Sequence, residues 1–420
     1  MSDSYVIIGD GIAGSSAAET IRDTDPEADI IMITDEGEPL YNRILIKEYA
    51  KGKMPEAPVS IHDEGWYEER DIDLRLNTLV TEVDTESNTL RTHEGETIEY
   101  DKLLAATGGT PIQLPVPGSD AEGIHHFWTF QDARGIRSHL EEADNAVLVG
   151  AGLIGIDLAA IVGAHELDNA WYIMRGNRWW RYALSLQGAE IMHKAMRDVG
   201  IELVFESGVE EFETDESGKL QATIDANGER YESEFAAVGI GLNFNTEFLQ
   251  DTPVETDWGI YTDEYMRTDA EDIYAAGDVT KFYDPVTDMR AQNGSWGSAR
   301  EQGSIAGKTM LHDQGQDVDL EPFRWVSSYS ITHFDFPFLS FGYPTEGDEA
   351  AERQYDETNW RRLTFKDGQL IGGVLIGDLS PQSKYKKLIL NEAQVGNQKD
   401  VLLQEQFDLE DLDFVEAPEA

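Results

Sequence analysis

Two six-residue stretches hold the residue types and spacing most open to a chemical reading. Gly9-Asp10-Gly11-Ile12-Ala13-Gly14 and Gly150-Ala151-Gly152-Leu153-Ile154-Gly155 both fit the spacing G-x-G-x-x-G. In such a loop the first glycine permits a tight turn, and the second lets a pyrophosphate approach the backbone. The third lets the following helix pack closely on the preceding strand. The helix behind the loop then turns free N–H groups and its positive dipole end toward the phosphates. Asp35 and Glu36 close the strand that follows the first loop. A carboxylate there accepts the adenosine ribose hydroxyls, and Glu36 is the favoured acceptor. After the second loop the same place holds Arg175, with Arg178 nearby. Arginines there pair with the 2′-phosphate of NADP, although arginines that merely balance local acid look the same. The reading leans to NADPH over NADH. Trp179 and Trp180 either flank an adenine or pack between domains.

Elements of the right kind surround both loops. Tyr5–Ile8 is a short apolar run of the kind found in buried parallel strands, Ile12–Ile21 is helical, and Ile30–Ile33 is a second strand. The β–α–β order returns with Ala146–Val149, a helix from Leu153, and Ala170–Met174. One supersecondary unit used twice, so far apart, predicts two nucleotide domains. Between the two units lie strand-like segments at Leu74–Asp84 and Thr97–Leu104, and Pro111, Pro115, Pro117 and Gly118 are expected to mark a crossover between domains. A second crossover is expected at Gly239–Gly241. From Pro322 the texture becomes aromatic and alternating, with strands over Trp325–Phe341 and Arg362–Ile376. The acidic segment Phe407–Ala420 is expected to be a frayed end.

The expected fold class is α/β, with two Rossmann-like, three-layer dinucleotide-binding domains and a C-terminal α+β interface domain. The expected boundaries are 1–112 and 241–320 for the two parts of the first nucleotide domain, 113–240 for the second, and 321–420 for the interface domain.

The formal net charge is −50, from 32 Lys and Arg against 82 Asp and Glu spread along the chain. Such a surface repels itself at a Debye length of about 8–10 Å and tolerates itself at about 3 Å, the value in molar salt. The protein therefore reads as halophilic, and its field argues against nucleic acid or an anionic membrane as partner. No apolar stretch is long enough to span a bilayer. The N-terminus carries no basic signal region, so a cytoplasmic location is expected. There is no cysteine, which removes disulfides, thiolate metal sites, cysteine-ligated iron–sulfur clusters and any dithiol relay. His125, His126 and His333 form no metal-ligand spacing and read as structural. His333, in the aromatic stretch, is the one that could line a cofactor's face. No metal is expected.

The chain resembles the FAD-dependent pyridine-nucleotide oxidoreductases, in the branch that holds rubredoxin and ferredoxin reductases and the flavin part of nitrite reductases. The resemblance rests on the two glycine loops, Tyr41-Asn42-Arg43-Ile44-Leu45-Ile46-Lys47, Leu103-Leu104-Ala105-Ala106-Thr107-Gly108-Gly109, and Ile273-Tyr274-Ala275-Ala276-Gly277-Asp278-Val279. Gly294-Ser295-Trp296 adds a weaker match. It implies FAD on the first loop and NAD(P)H on the second. It places Ala106, Thr107 and Gly108 against the FAD, Arg43 on its pyrophosphate, and Asp278 on the ribityl chain beside Gly277. It aims the helix starting near Ser295 and Trp296 at the flavin N1–C2=O edge. Lys47 lies near flavin N5 and pairs, in relatives, with a Glu where this chain has Asp157. The acid is one methylene shorter, so a looser or water-bridged pair is expected.

Without a dithiol, electrons leave from the flavin itself. A small electron-carrier protein such as a ferredoxin, rubredoxin or Rieske protein fits best as acceptor, with the chain a monomer or homodimer. The rivals are an NAD(P)H oxidase or quinone-type reductase and a non-catalytic redox-sensing flavoprotein.

Overall fold

The computed structural model describes residues 3–412. The chain divides into two compact units, each assembled from three stretches. Unit 1 comprises Met1–Asn42, Ser60–Thr110 and Asn243–Ser327, and unit 2 comprises Arg43–Val59, Pro111–Leu242 and Ser328–Ala420.

Unit 1 is built on an all-parallel sheet of five strands, in the order Ile273–Ala275, Lys102–Ala105, Ser4–Ile8, Asp29–Ile33 and Ile72–Arg75. The strands are near-continuous apolar runs because both faces of a parallel sheet are covered. Val6, Ile8, Leu103, Ile273 and Phe248 share one core with residues of a small antiparallel sheet, including Val80, Leu90 and Ile98. From Ser4–Ile8 the chain winds outward in one direction, then returns to the other side with Lys102–Ala105. The strand order reverses between them, and the first glycine loop leaves the sheet at this switch point, where α/β sheets hold ligands.

Unit 2 repeats the plan. Its parallel sheet runs Ile201–Phe205, Asn169–Met174, Asn145–Val149, Phe235–Val238 and Ile124–His125. The second glycine loop leaves Asn145–Val149 at the corresponding reversal. The helix Phe130–Leu140, which packs on the helix Ile46–Ala50, is held by a capping box between Thr129 and Asp132. The C-terminal part of unit 2 is an antiparallel sheet, ordered Ser328–Ile331, Phe338–Gly342, Gln369–Ile376, Trp360–Lys366 and Glu349–Gln354, with the helix Gln382–Leu390 packed on it. Trp360 is fully buried, and a Cβ at Gly188 would lie 2.8 Å from its ring.

Several segments divide more finely than the sequence reading expected. Leu74–Asp84 is two strands, Ile72–Arg75 and Val80–Asp84, parted at Asn77, whose φ of 52° is left-handed. Thr97–Leu104 breaks between Glu99 and Lys102. Arg362–Ile376 is a hairpin turned by Asp367 and Gly368, with φ of 49° and 83°, the backbone a tight two-residue turn demands. Trp325–Phe341 splits around the short helical turn His333–Asp335. Phe407 is buried against Tyr385, with ring centroids 5.3 Å apart, so the start of Phe407–Ala420 is packed and not frayed. Residues 413–420 of that segment lie outside the described residues.

Candidate functional site

The two glycine loops use one geometry. Gly9 sits at φ +108°, and a Cβ there would lie 2.2 Å from the Ala106 carbonyl oxygen. Gly150 sits at φ +127°, and its Cβ would lie 2.1 Å from the Gly239 oxygen. Each loop therefore presses on the end of the strand across the switch point, and only glycine fits. At the third glycines the neighbour is again too close, with a Gly14 Cβ 2.0 Å from Gly9 O and a Gly155 Cβ 2.1 Å from the Tyr172 hydroxyl. The middle glycines are different. A Cβ at Gly11 or Gly152 would meet nothing within 4 Å. Both are helix N-caps without a side-chain cap, so no capping side chain takes up the first-turn N–H groups behind them. Room, uncapped donors and dipole are what a pyrophosphate requires. The residues present fit the pyrophosphate of a dinucleotide such as FAD or NAD(P)H at each loop.

In unit 1, Glu36 is half-buried and accepts from the Tyr41 hydroxyl at 2.6 Å, while Asp35 is exposed. Thr107 and Asn245 are tied twice, Thr107 Oγ1 donating to Asn245 O at 2.7 Å and Asn245 Nδ2 to Thr107 O at 3.2 Å. Gly108 follows at φ +57°. Gly277, at φ +88°, donates its N–H to Gln302 Oε1 at 2.8 Å, and Thr280 Oγ1 lies 2.9 Å from the same oxygen. This fully buried Gln302 fixes the Ala-Ala-Gly-Asp turn beside half-buried Asp278. Ser295 caps the helix Trp296–Asp313 by accepting from Ser298 N, and Trp296 is half-buried.

Asp10 was not singled out by sequence. It is buried inside the first loop, and the Tyr67 hydroxyl lies 2.9 Å from both its carboxylate oxygens. Burial pushes its pKa up to about 7, against the lowering effect of the Tyr67 bond.

In unit 2 the second loop is braced by the tryptophans. Trp179 is fully buried, donates Nε1–H to Gly152 O at 3.1 Å, and packs on Phe338 at 5.5 Å between centroids. It is therefore a loop support and cannot flank an adenine. Arg175 is exposed and makes no hydrogen bond or ion pair among the described residues. Arg178 is committed to its own loop, donating to Leu184 O at 2.7 Å, Asn177 Oδ1 at 2.9 Å and Arg181 O at 3.0 Å. Arg43 donates to Trp128 O at 2.7 Å and lies over the Trp128 ring.

Lys47 and Asp157 do meet in unit 2. Their contact is direct, Nζ to Oδ1 at 3.3 Å, with side chains 11% and 14% exposed. At 3.3 Å the pair is longer than an ordinary ammonium–carboxylate bond, as the shorter acid leads one to expect, and it belongs to a closed cluster. Asp157 Oδ1 also accepts from the Tyr329 hydroxyl at 2.8 Å and contacts His333 Nε2 at 2.6 Å. Lys47 Nζ lies 5.4 Å from the Tyr329 ring centroid. Burial opposes the charge on Asp157, but the bonds from His333 and Tyr329 and the Lys47 charge hold its pKa below the usual value. His125 bonds His139 at 2.9 Å and stacks on Phe235, a packing role. Among the described residues no group of acids and histidines could hold a metal ion, and no helix is long and apolar enough to cross a membrane.

Comparison with known proteins agrees with this geometry. The chain is 27% identical over 397 residues to the 3-phenylpropionate/cinnamic acid dioxygenase ferredoxin–NAD(+) reductase component of Photorhabdus laumondii, covering 93% of this chain and 97% of that one. It is 26% identical to the nitrite reductase [NAD(P)H] of Bacillus subtilis, covering 93% of this chain but only 47% of that longer protein. The fold matches putidaredoxin reductase in its covalent complex with putidaredoxin, with a TM-score of 0.88 at 21% identity over 96% of both chains. A ferredoxin reductase from Rhodopseudomonas palustris matches at 0.87 and 22%, over 97% of this chain and 99% of that one. Residues 330–393 match the rubredoxin NAD+ reductase C-terminal domain. Residues 3–303, most of the length and both glycine loops, match the pyridine nucleotide-disulphide oxidoreductase family, and the chain belongs to that family.

Proposed function

We propose that this protein takes hydride from NAD(P)H and passes the electrons singly to a small carrier protein of ferredoxin, rubredoxin or Rieske type. The observation that carries the reading is two nucleotide cradles of one design in a chain without cysteine. FAD and NAD(P)H are the cofactors, and FAD, when bound, supplies the hydride acceptor and gives up electrons one at a time. A disulphide reductase of this fold would need a dithiol as the next stop, and this chain offers none. The balance is one NAD(P)H and two oxidised carriers going to NAD(P)+, two reduced carriers and one proton.

The residues have distinct tasks in this reading. The open backbone at Gly11 and Gly152 admits the pyrophosphates, and Glu36, oriented by Tyr41, accepts ribose hydroxyls. Gln302 sets the turn that offers Asp278. Exposed Arg175 is the group available to a 2′-phosphate, which favours NADPH, whereas Arg178 shapes its loop. Lys47, anchored by Asp157, supplies fixed positive charge at the hydride site, where preorganised charge is worth most. The net charge of −50 supports work in a salt-rich cytoplasm.

Anaerobic stopped-flow mixing in molar KCl tests the reading. Each nucleotide is expected to bleach the bound flavin, and candidate carriers to restore its colour. Bleaching by neither nucleotide refutes the flavin-reductase reading. Bleaching followed by fast reoxidation only with oxygen refutes the carrier.

A further inference from the structure

The cluster on Asp157 continues past the residues assigned above. His333 Nδ1, on the side of the ring away from Asp157, lies 3.2 Å from Lys51 Nζ. Lys51 is itself buried and donates to Glu48 Oε1 at 2.8 Å, where the glutamate side chain is 34% exposed. A lysine ammonium has donors and no acceptor. At hydrogen-bond distance it therefore requires a lone pair on Nδ1, and this puts the ring hydrogen on Nε2, 2.6 Å from the Asp157 carboxylate. The ring lies between a cation and an anion, so each of its nitrogens has one role.

We propose that His333 is a positioning residue for the Lys47–Asp157 pair, locked by Lys51 as the neutral Nε2–H imidazole. This role rests on the reading of Lys47 and Asp157 as the hydride-site pair. His333 sits on the turn after the strand Ser328–Ile331, and that strand also carries Tyr329. The antiparallel sheet thus brings two donors to Asp157 Oδ1. They aim the carboxylate and share its charge, which offsets the shorter reach of Asp. A partner that orients a working group through its second nitrogen is a recurrent use of histidine.

The groups facing the ring are consistent with a neutral form. Lys51, Lys47 and Glu48 belong to the segment around the helix Ile46–Ala50, Asp157 to the helix Leu153–Val162, and Tyr329 to the C-terminal sheet. Tyr172, on the strand Asn169–Met174, adds a buried hydroxyl near Asp157. Burial, followed in the same direction by the two lysine charges, lowers the pKa of His333 despite the opposing bond to Asp157.

The test uses FAD-loaded full-length protein with nitrogen-15-labelled histidine in molar KCl. Long-range proton–nitrogen correlations are expected to show His333 neutral at pH 7, with hydrogen on Nε2 and a lone pair on Nδ1. Lys51→Met, which leaves the pair itself untouched, is expected to admit the other tautomer and let the ring protonate at higher pH. A cationic ring, an Nδ1–H ring, or no change in Lys51→Met overturns the lock. In stopped-flow, His333→Phe is expected to slow hydride transfer by about a hundredfold with little change in nucleotide dissociation constant. His333→Gln, which keeps a donor, is expected to recover most of that rate. Equal rates in wild type and His333→Phe, or no advantage of Gln over Phe, overturn the positioning role. If neither nucleotide reduces the wild-type flavin, the functional reading fails and the role falls with it. If the wild type is reduced while His333 is cationic, only the present inference fails.

Discussion

The Tyr172 hydroxyl lies so close to Gly155 that a Cβ on the glycine would stand 2.1 Å from it. That hydroxyl is fully buried and has no hydrogen-bond partner among the described residues. The third glycine of the second loop is thus demanded by one phenol oxygen.

The pair makes a double-mutant cycle. Gly155→Ala is expected to lower stability by about 1–3 kcal/mol through overpacking and to weaken NAD(P)H binding. Tyr172→Phe removes an unsatisfied buried hydroxyl and is expected to be neutral or stabilising by about 1 kcal/mol. Combined, the two should recover much of the loss. Chemical denaturation and nucleotide titration read the cycle, and strict additivity would mean the contact is not the cause.

Coenzyme choice divides the two arginines. Arg175→Glu is expected to weaken NADPH by about tenfold or more, the loss of a charge-assisted bond, and to leave NADH nearly unchanged. Arg178→Ala loosens the loop from Gly176 to Leu184 and should weaken both coenzymes alike. Equal effects of Arg175→Glu on the two would remove the 2′-phosphate assignment.

Asp10 gives a pH signature. Its folded pKa of about 7 lies above the ordinary 3.8, so the folded protein holds a proton that the unfolded chain releases. With more protons on the native state, stability falls as pH rises from about 4 to 7 and the loss persists above. Asp10→Asn mimics the protonated acid. The expected melting temperature of cofactor-free Asp10→Asn exceeds wild type at pH 8 by several degrees, and the gap closes toward pH 4. A gap independent of pH counts against the buried acid.

Restoring the glutamate of related enzymes should harm this one. In Asp157→Glu the added methylene would push the carboxylate into His333 and Tyr329, already 2.6 and 2.8 Å away. Hydride transfer is expected to slow and stability to fall by about 1–3 kcal/mol. An Asp157→Glu variant faster than wild type would show that the pair is limited by reach alone.

What the sequence revealed follows from how local each constraint is. The glycine loops were readable because backbone approach leaves a mark in residue type at fixed spacing, and both strands and helices around them were found. The turn at Asp367-Gly368 leaves an equally local mark, a D-G pair between apolar runs, although the residues on either side read together as one long strand. The cluster on Asp157 was only half visible. Lys47 and its partner came through resemblance, but Tyr329 and His333 stand 172 and 176 residues away from Asp157, and no spacing rule spans such a gap. Tyr67, 57 residues from Asp10, escaped for the same reason. Arg178 shows the opposite limit: its type and place suggested a ligand contact, and the loop's own carbonyls claimed it first.

The backstop of the first cradle is the carbonyl of Ala106, not its side chain. Replacing the methyl of Ala106 by another small group leaves that oxygen in place, whereas any Cβ at the opposing Gly9 collides with it. What this segment does not tolerate is a change of phase. One residue inserted or deleted between Lys102 and Ala106 would turn the oxygen away and leave a gap beneath the loop. Library selections here should therefore accept only small residues at buried position 106 and almost no change in length.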